Sequence, residues 1–301
     1  MDILDTLKYK VNCTISMLQA RRLQEKTRKE IVRYYAENRS SDPDILEAVD
    51  YLKTHTLTVL PGSFTQNYIP EEIRINYNVV NGLHYVIHEG KRLYFKRSST
   101  VEHIRLCYNG LLAEQDKHSP HCYLSKEFTV ADGDVLLDVG CAEGILSLSN
   151  IEKAKKVCLF EIDHEWVEAL EATFAPWKEK VIIVQKYVSD TNDELNITLD
   201  HFLESNNLSP DFVKIDVEGA EQRVLDGMRK SIQKTPLKIA LCTYHRADDH
   251  ARFTRVLQGK GFSTHSSEGV MIFVNDLAHI APPYFRKGVL RATNTLNRSN
   301  Q

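Results

Sequence analysis

The sequence predicts an α/β fold of Rossmann-like type, with a mostly parallel seven-stranded sheet ending in an antiparallel hairpin. Three observations carry this. From Val135 onward, short apolar β-rich runs alternate with helical patterns, as parallel strands joined by crossover helices require. The stretch LLDVGCAEG, Leu136 to Gly144, passes directly from an apolar run into a glycine loop. The last two runs are separated by only a few residues, which is too short for a crossover and implies a hairpin.

The candidate strands are VLLDV (135–139), KVCLFE (156–161), VIIVQKYV (181–188), DFVKIDV (211–217) and LKIALCTYH (237–245). GFSTH (261–265) and VMIFV (270–274) follow, joined through Ser266, Ser267, Glu268 and Gly269, and form the expected hairpin. Between strands, Asp163 is placed to cap a helix marked by Trp166, Leu170 and Phe174, and Ala220, Val224 and Met228 mark another after Gly219. Together these elements define a domain over residues 130–276.

Residues 1–129 form a helical and β-hairpin extension, read as a lid, an acceptor-binding element or a dimerisation arm. Ile3, Leu7, Val11, Ile15 and Leu18 recur on one helix face, which packs on this chain or on a twin subunit in a homodimer. SDPDILEAVDYL starts a capped helix with Pro43 in its first turn, and LHYVIHEGKRLYF reads as a hairpin turning at Glu89-Gly90. Residues 277–301 read as a basic C-terminal tail.

Composition narrows the function. The 301 residues are 42% hydrophobic and 26% charged, enough to bury a sizeable core. A formal net charge of −3 argues against a general nucleic-acid binder. Six cysteines without a C-x-x-C pair suit a reduced, cytoplasmic protein rather than a disulfide scaffold. The first residues lack a signal-peptide core, and no apolar run reaches the ~18 residues that membrane insertion needs.

The glycine loop carries the chemistry. Gly140 and Gly144 allow a ligand close to the main chain, and the helix start behind them offers free N–H groups. A dinucleotide site would show G-x-G-x-x-G, but Ala142 stands at the second glycine, and Asp138 and Glu143 flank the loop. Acids at these places suit a cationic ligand better than a pyrophosphate. Glu161, ending the second strand, is placed for the two hydroxyls of a ribose. Ser189 and Asp190, after the third, are placed for an adenine amino group. An adenosine with a cationic amino-acid tail is S-adenosylmethionine; Asp138, Gly140, Cys141, Glu143 and Gly144 would hold the tail, and Glu114 or His121, upstream, would reach the methionine part or the acceptor.

The segment DFVKIDVEGAEQRVLDG (211–227) resembles the distinctive K-I-D-x-E-G-x-E motif of the FkbM family of methyltransferases, and TLDHFL (198–203) resembles the short helix preceding it there. The resemblance covers about residues 130–275. It implies a class I methyltransferase fold and methyl transfer, usually to oxygen, often on sugars or natural-product scaffolds, with S-adenosylhomocysteine as the other product. The chain departs from the family at Cys141-Ala142-Glu143, and at Cys242-Thr-Tyr-His245 in place of Glu-x-His.

Methyl transfer is an in-line displacement at the methyl carbon, and a hydroxyl acceptor needs help to lose its proton. Lys214, Asp216 and Glu218 lie at the end of the fourth strand, with Asp216 the first choice for the acceptor-facing acid and Glu218 the second. His245, ending the fifth strand, has the pKa of a neutral-pH base; its structural alternative is a cap on the helix near Asp248-Asp249. Lys214 paired to an acid would brace the site instead of acting in it. No metal ligands are assigned: His118, His121 and Cys122 lack a matching second pair, and a divalent ion on Asp216 and another carboxylate is the less favoured option. The leading expectation is O-methylation of a small-molecule or glycan acceptor. The alternatives are N-methylation of an amino sugar or small amine, a non-catalytic adenosyl-binding interaction module, and, disfavoured by the loop, a nicotinamide oxidoreductase.

Overall fold

The computed structural model describes residues 3–234, 236–273 and 280–294, excepting the side chains of 3–18. The amphipathic stripe from Ile3 to Leu18 therefore lies outside the described side chains, although its backbone belongs to helix α1, Ile3–Glu37.

Seven strands form the central sheet: β1 Val135–Val139, β2 Lys156–Phe160, β3 Val181–Val184, β4 Phe212–Ile215, β5 Lys238–Cys242, β6 Ser263–Ser266 and β7 Val289–Thr293. Their order is β3-β2-β1-β4-β5-β7-β6. The first five are parallel, while β7 runs antiparallel to both neighbours. The inner strands are apolar because both faces are covered. Alternate residues go to opposite layers: Leu136 packs with Ile145, Leu148 and Leu170, whereas Leu137 and Val139 pack with Leu199, Phe202 and Val224.

The antiparallel edge differs in detail from the hairpin expected of 261–265 and 270–274. The partner of β6 is β7, and the C-terminal stretch expected to be a basic tail supplies that strand. Val289, Leu290 and Ala292 are at most 1% exposed, so neighbouring arginines and lysines conceal a core strand in the sequence. Met271–Ile272 instead pairs with Phe285–Arg286 in a separate small sheet, and Val270, Ile272 and Phe285 pack against Ile31, Val49 and Leu52 of the N-terminal helices. Residues 274–279 and 295–301 of the expected strand and tail lie outside the described residues.

In the N-terminal region, α2 spans Pro43–Thr54, with the Asp42 carboxylate accepting from the Asp44 amide as its cap. Leu83–His88 and Lys91–Tyr94 form the expected hairpin, turned by left-handed Glu89 and Gly90 and joined by Asn76–Asn78. This sheet docks on α5 (His164–Phe174), where Leu83 and Tyr94 meet Ala169 and the Tyr94 amide donates to the Thr173 hydroxyl. α3 (Val101–Glu114) then delivers the chain to the carboxyl ends of the strands. Among the described residues, no helix is long and apolar enough to cross a membrane.

Candidate active site

Between β1 and β4 the strand order reverses, and loops from both diverge to leave a crevice. A cavity of about 210 Å³ opens there, walled by Glu114, the 121–123 segment, the glycine loop, Lys214, Asp216, Glu218 and Tyr244.

The loop geometry explains its glycines. Gly140 has φ +71°, and a Cβ there would sit 2.0 Å from the Asp216 carbonyl oxygen. The first loop and the end of β4 are thus packed backbone to backbone, which only glycine permits. Gly144, at φ +77°, opens α4 (Ile145–Ser149), a helix of five residues, and a Cβ there would press on Leu170 and Phe174.

The charges are arranged in two groups. Asp138 is 1% exposed; its Oδ2 accepts from the Ser147 hydroxyl at 2.7 Å and its Oδ1 lies 3.2 Å from Lys214 Nζ. Lys214 also donates to the Gly140 carbonyl at 2.5 Å and lies over the Tyr123 ring. Burial pushes the Lys214 pKa down, but Asp138 and Asp216 outweigh it and hold the ammonium charged. The acid expected to face a ligand's positive charge is therefore already paired within the chain. Two further carboxyls face the cavity: Glu143, which burial pushes up to about 7, and Glu114, which burial also raises.

The second group centres on Asp216. Its two oxygens accept from the hydroxyls of Tyr123 at 2.9 Å and Tyr244 at 3.0 Å, while His121 Nε2 lies 3.4 Å away and His245 Nε2 3.6 Å away. Burial alone would raise its pKa; His121, Lys214 and His245 win and hold it well below the usual carboxylate range. So saturated an anion is a poor proton acceptor and a strong organiser of the groups around it. His121 lines the cavity with Nδ1 free of hydrogen bonds, 3.8 Å from Glu114. His245 stands behind Tyr244, ring centroids 4.1 Å apart, and is not part of the cavity wall. It does not cap the next helix: its Nδ1 is 2.8 Å from Glu221 Oε1, and burial, which would lower its pKa, is overcome by Glu221 and Asp216.

The structure thus gathers Asp138, Gly140, Cys141, Glu143, Glu114, Lys214, Asp216 and Glu218 around one cavity, with Gly144 closing the loop. It does not bring Glu161, Ser189 or Asp190 to the cavity wall. Glu161 braces the loop, accepting from the amides of Ala142 at 3.1 Å and Asp163 at 2.8 Å. Ser189 is buried and donates to Asp190, which faces Arg223. Glu218 has φ +55° and a side chain that is 79% exposed, because β4 ends at Ile215 and the period of two does not carry that far. His118 is exposed, so His118, His121 and Cys122 do not converge.

Sequence reasoning did not single out Tyr123, Tyr244 or Glu221. Tyr244 stands beside His245, and Glu221 ends the K-I-D-x-E-G-x-E motif, so both carried a signal. Tyr123 carried none: its place depends on Arg291 of β7, which donates to the carbonyls of Cys122, Tyr123 and Leu124. The strand read in the sequence as a tail therefore holds a wall of the cavity in place.

The sequence matches none of the curated proteins. Among solved structures, the chain is similar to methyltransferase FkbM from Methylobacillus flagellatus, at 15% identity and a TM-score of 0.44, over 64% of this chain and 54% of that one. It is also similar to an rRNA methylase from Streptococcus thermophilus (13% identity, 56% and 90% covered, TM-score 0.39) and to precorrin-6Y C5,15-methyltransferase from Geobacter metallireducens (16%, 54% and 79%, 0.36). The family model described as the methyltransferase FkbM domain matches residues 146–264, from α4 to β6. The stretch from α4 to β6 is thus similar to the methyltransferase FkbM domain, within an α/β fold built on a mostly parallel seven-stranded sheet.

Proposed function

We propose that the chain is an S-adenosylmethionine-dependent methyltransferase acting on a hydroxyl of a small polar molecule or sugar unit. The observation that carries this reading is the union, in one cavity, of a left-handed glycine loop, the carboxyls of Glu143 and Glu114, and an imidazole, His121, with an unbonded buried nitrogen 3.8 Å from Glu114. Glu143 and Glu114 suit the ammonium of the cofactor's tail, and Glu161, beside the loop, suits the ribose. When bound, the cofactor supplies an electrophilic methyl on a sulfonium. The chain's own task is to hold the acceptor oxygen in line with that methyl and to take its proton.

Asp216 and Lys214 serve this task as organisers. Asp216 orders both tyrosines and raises the basicity of His121. As the C–O bond forms and the S–C bond breaks, the acceptor proton passes to an imidazole, with His121 the one at the wall. N-methylation of an amine would use the same cavity without that base. A nucleic-acid acceptor is not proposed, given the net charge of −3.

Calorimetry tests the cofactor half. S-adenosylhomocysteine is expected to bind with micromolar affinity, NADH not at all, and Glu161→Ala to weaken binding at least tenfold, through the ribose contact and the unbraced Ala142 amide. Equal affinity of the variant and wild type would sink the assignment of Glu161; no binding to a folded, ligand-free sample would sink the cofactor.

A further inference from the structure

Behind the cavity wall formed by Asp216, Glu218 and Tyr244, three carboxylates surround one imidazole. His245 is buried, its side chain 3% exposed, and its Nε2 has no hydrogen bond. That nitrogen points between Asp216 Oδ1 at 3.6 Å and Glu218 Oε2 at 3.7 Å. On the other side of the ring, Nδ1 lies 2.8 Å from Glu221 Oε1, which also accepts from the Gly219 and Val217 amides at 3.1 and 3.4 Å. Asp216, Glu221 and His245 each put a donor atom within 4.8 Å of the others. Lys214, the nearby buried cation, is engaged with Asp138 and Gly140.

We infer that Asp216, Glu218 and His245 Nε2 form a binding site for a divalent transition-metal cation, with Glu221 orienting the imidazole from behind. Separations of 3.6–3.7 Å are those of donors that share one ion with bonds near 2.1 Å after small adjustment of the exposed Glu218 arm. A buried imidazole nitrogen without a hydrogen bond, 3.6–3.7 Å from two carboxylates, leaves a gap that an ion fills, with Asp216 Oδ1 keeping the Tyr244 hydroxyl as its other partner. The carboxylate on Nδ1 is the usual companion of a metal-bound histidine, fixing its tautomer and ring angle. One imidazole with two carboxylates favours Mn²⁺ or Zn²⁺ over Mg²⁺, which prefers oxygen donors and keeps its waters. If the proposed methyl transfer holds, an ion here would polarise the acceptor hydroxyl and lower its pKa; the cation site itself does not depend on that reading.

The test is titration of the full chain, stripped by chelator, with Mn²⁺ alone, following free Mn²⁺ by electron paramagnetic resonance, and with S-adenosylhomocysteine binding measured on the same samples. One Mn²⁺ per chain is expected, with affinity falling at least tenfold in His245→Ala and Glu218→Gln, and roughly 10–100-fold in Glu221→Gln, the cost usual for losing a ligand's orienting partner. Glu194→Gln, at an exposed acid elsewhere, is expected to bind as wild type. Glu218→Gln alters an exposed turn and keeps the test available if His245→Ala fails to fold. Absence of Mn²⁺ binding, or binding indifferent to both Glu218→Gln and His245→Ala, overturns the site even when S-adenosylhomocysteine binds. Mn²⁺ binding with these dependences, in a chain that ignores S-adenosylhomocysteine, upholds the site and overturns the cofactor assignment.

Discussion

Lys214→Met is expected to destabilise the chain by about 3–5 kcal/mol, the cost of leaving one charge of a buried pair without its partner. The lysine is 4% exposed and Asp138 is 1% exposed, so water cannot replace the lost contact. Methionine fills the aliphatic volume, and the loss is then electrostatic: Asp138 Oδ1 faces no cation, the Gly140 carbonyl loses its donor, and Asp216 loses a counter-charge. Adding Asp138→Asn removes the stranded charge while leaving a group that can still meet the Ser147 hydroxyl. The double variant is therefore expected to recover more than half of the loss. Urea denaturation of wild type, both single variants and the double variant gives the coupling energy directly. A Lys214→Met chain within about 1 kcal/mol of wild type would show that the pair contributes little and that the lysine is kept for the ligand.

This pair also shows where sequence reasoning reaches and where it stops. The five parallel strands were legible because each is a predominantly apolar run, a consequence of burial on both faces. The site was legible to the same degree: Asp138, Gly140, Lys214 and Asp216 stand where strands end, and the fold puts strand ends at the crevice. The partner of Lys214 was not legible. A motif that reads VKIDVEG suggests an internal lysine–acid pair, yet the lysine reaches across the sheet to a residue 76 positions earlier. Strand register decides this, with Lys214 beside Asp138 in the β1–β4 ladder. Register follows from the whole sheet and not from either motif.

The antiparallel strands mark the other boundary. β7 pairs along all five residues with β5, yet its sequence VLRAT sits among basic residues and follows a run read as the sheet's last strand. Only the fold reveals that Val289 and Leu290 are buried and that Arg291 reaches back to the chain at 122–124. Tyr123, fixed by that clamp, then completes the hydrogen bonding of Asp216. A catalytic acid inferred from its strand end becomes an organising anion once its neighbours are seen. The change of role comes from residues more than 90 positions away in sequence.

Glu143→Gln is expected to do the reverse of Lys214→Met and stabilise the chain, by an amount that depends on pH. Glu143 is 6% exposed, and burial pushes its carboxyl from an ordinary 4.5 up to about 7. Between those values the folded chain keeps a proton that the unfolded chain has released, so stability falls as pH rises through this window. Above about pH 7 the carboxylate is ionised in its buried place and the full penalty stands, about 3 kcal/mol for a shift of this size. Glutamine avoids the penalty at nearly the same volume. The variant is therefore expected to exceed wild type by about 3 kcal/mol at pH 8 and to match it near pH 4.5, with urea denaturation at both values as the measurement. A destabilisation of equal size at both pH values would mean that Glu143 makes bonds the amide cannot, and that its acidity is incidental. Under the proposed function, an acid kept at such a cost beside a glycine loop serves to meet the cation of a ligand. The same variant is accordingly expected to bind S-adenosylhomocysteine, which carries an ammonium, about tenfold more weakly at pH 8, the loss of one charge-assisted hydrogen bond. Greater stability with weaker binding would identify Glu143 as a functional residue held against the preference of the fold.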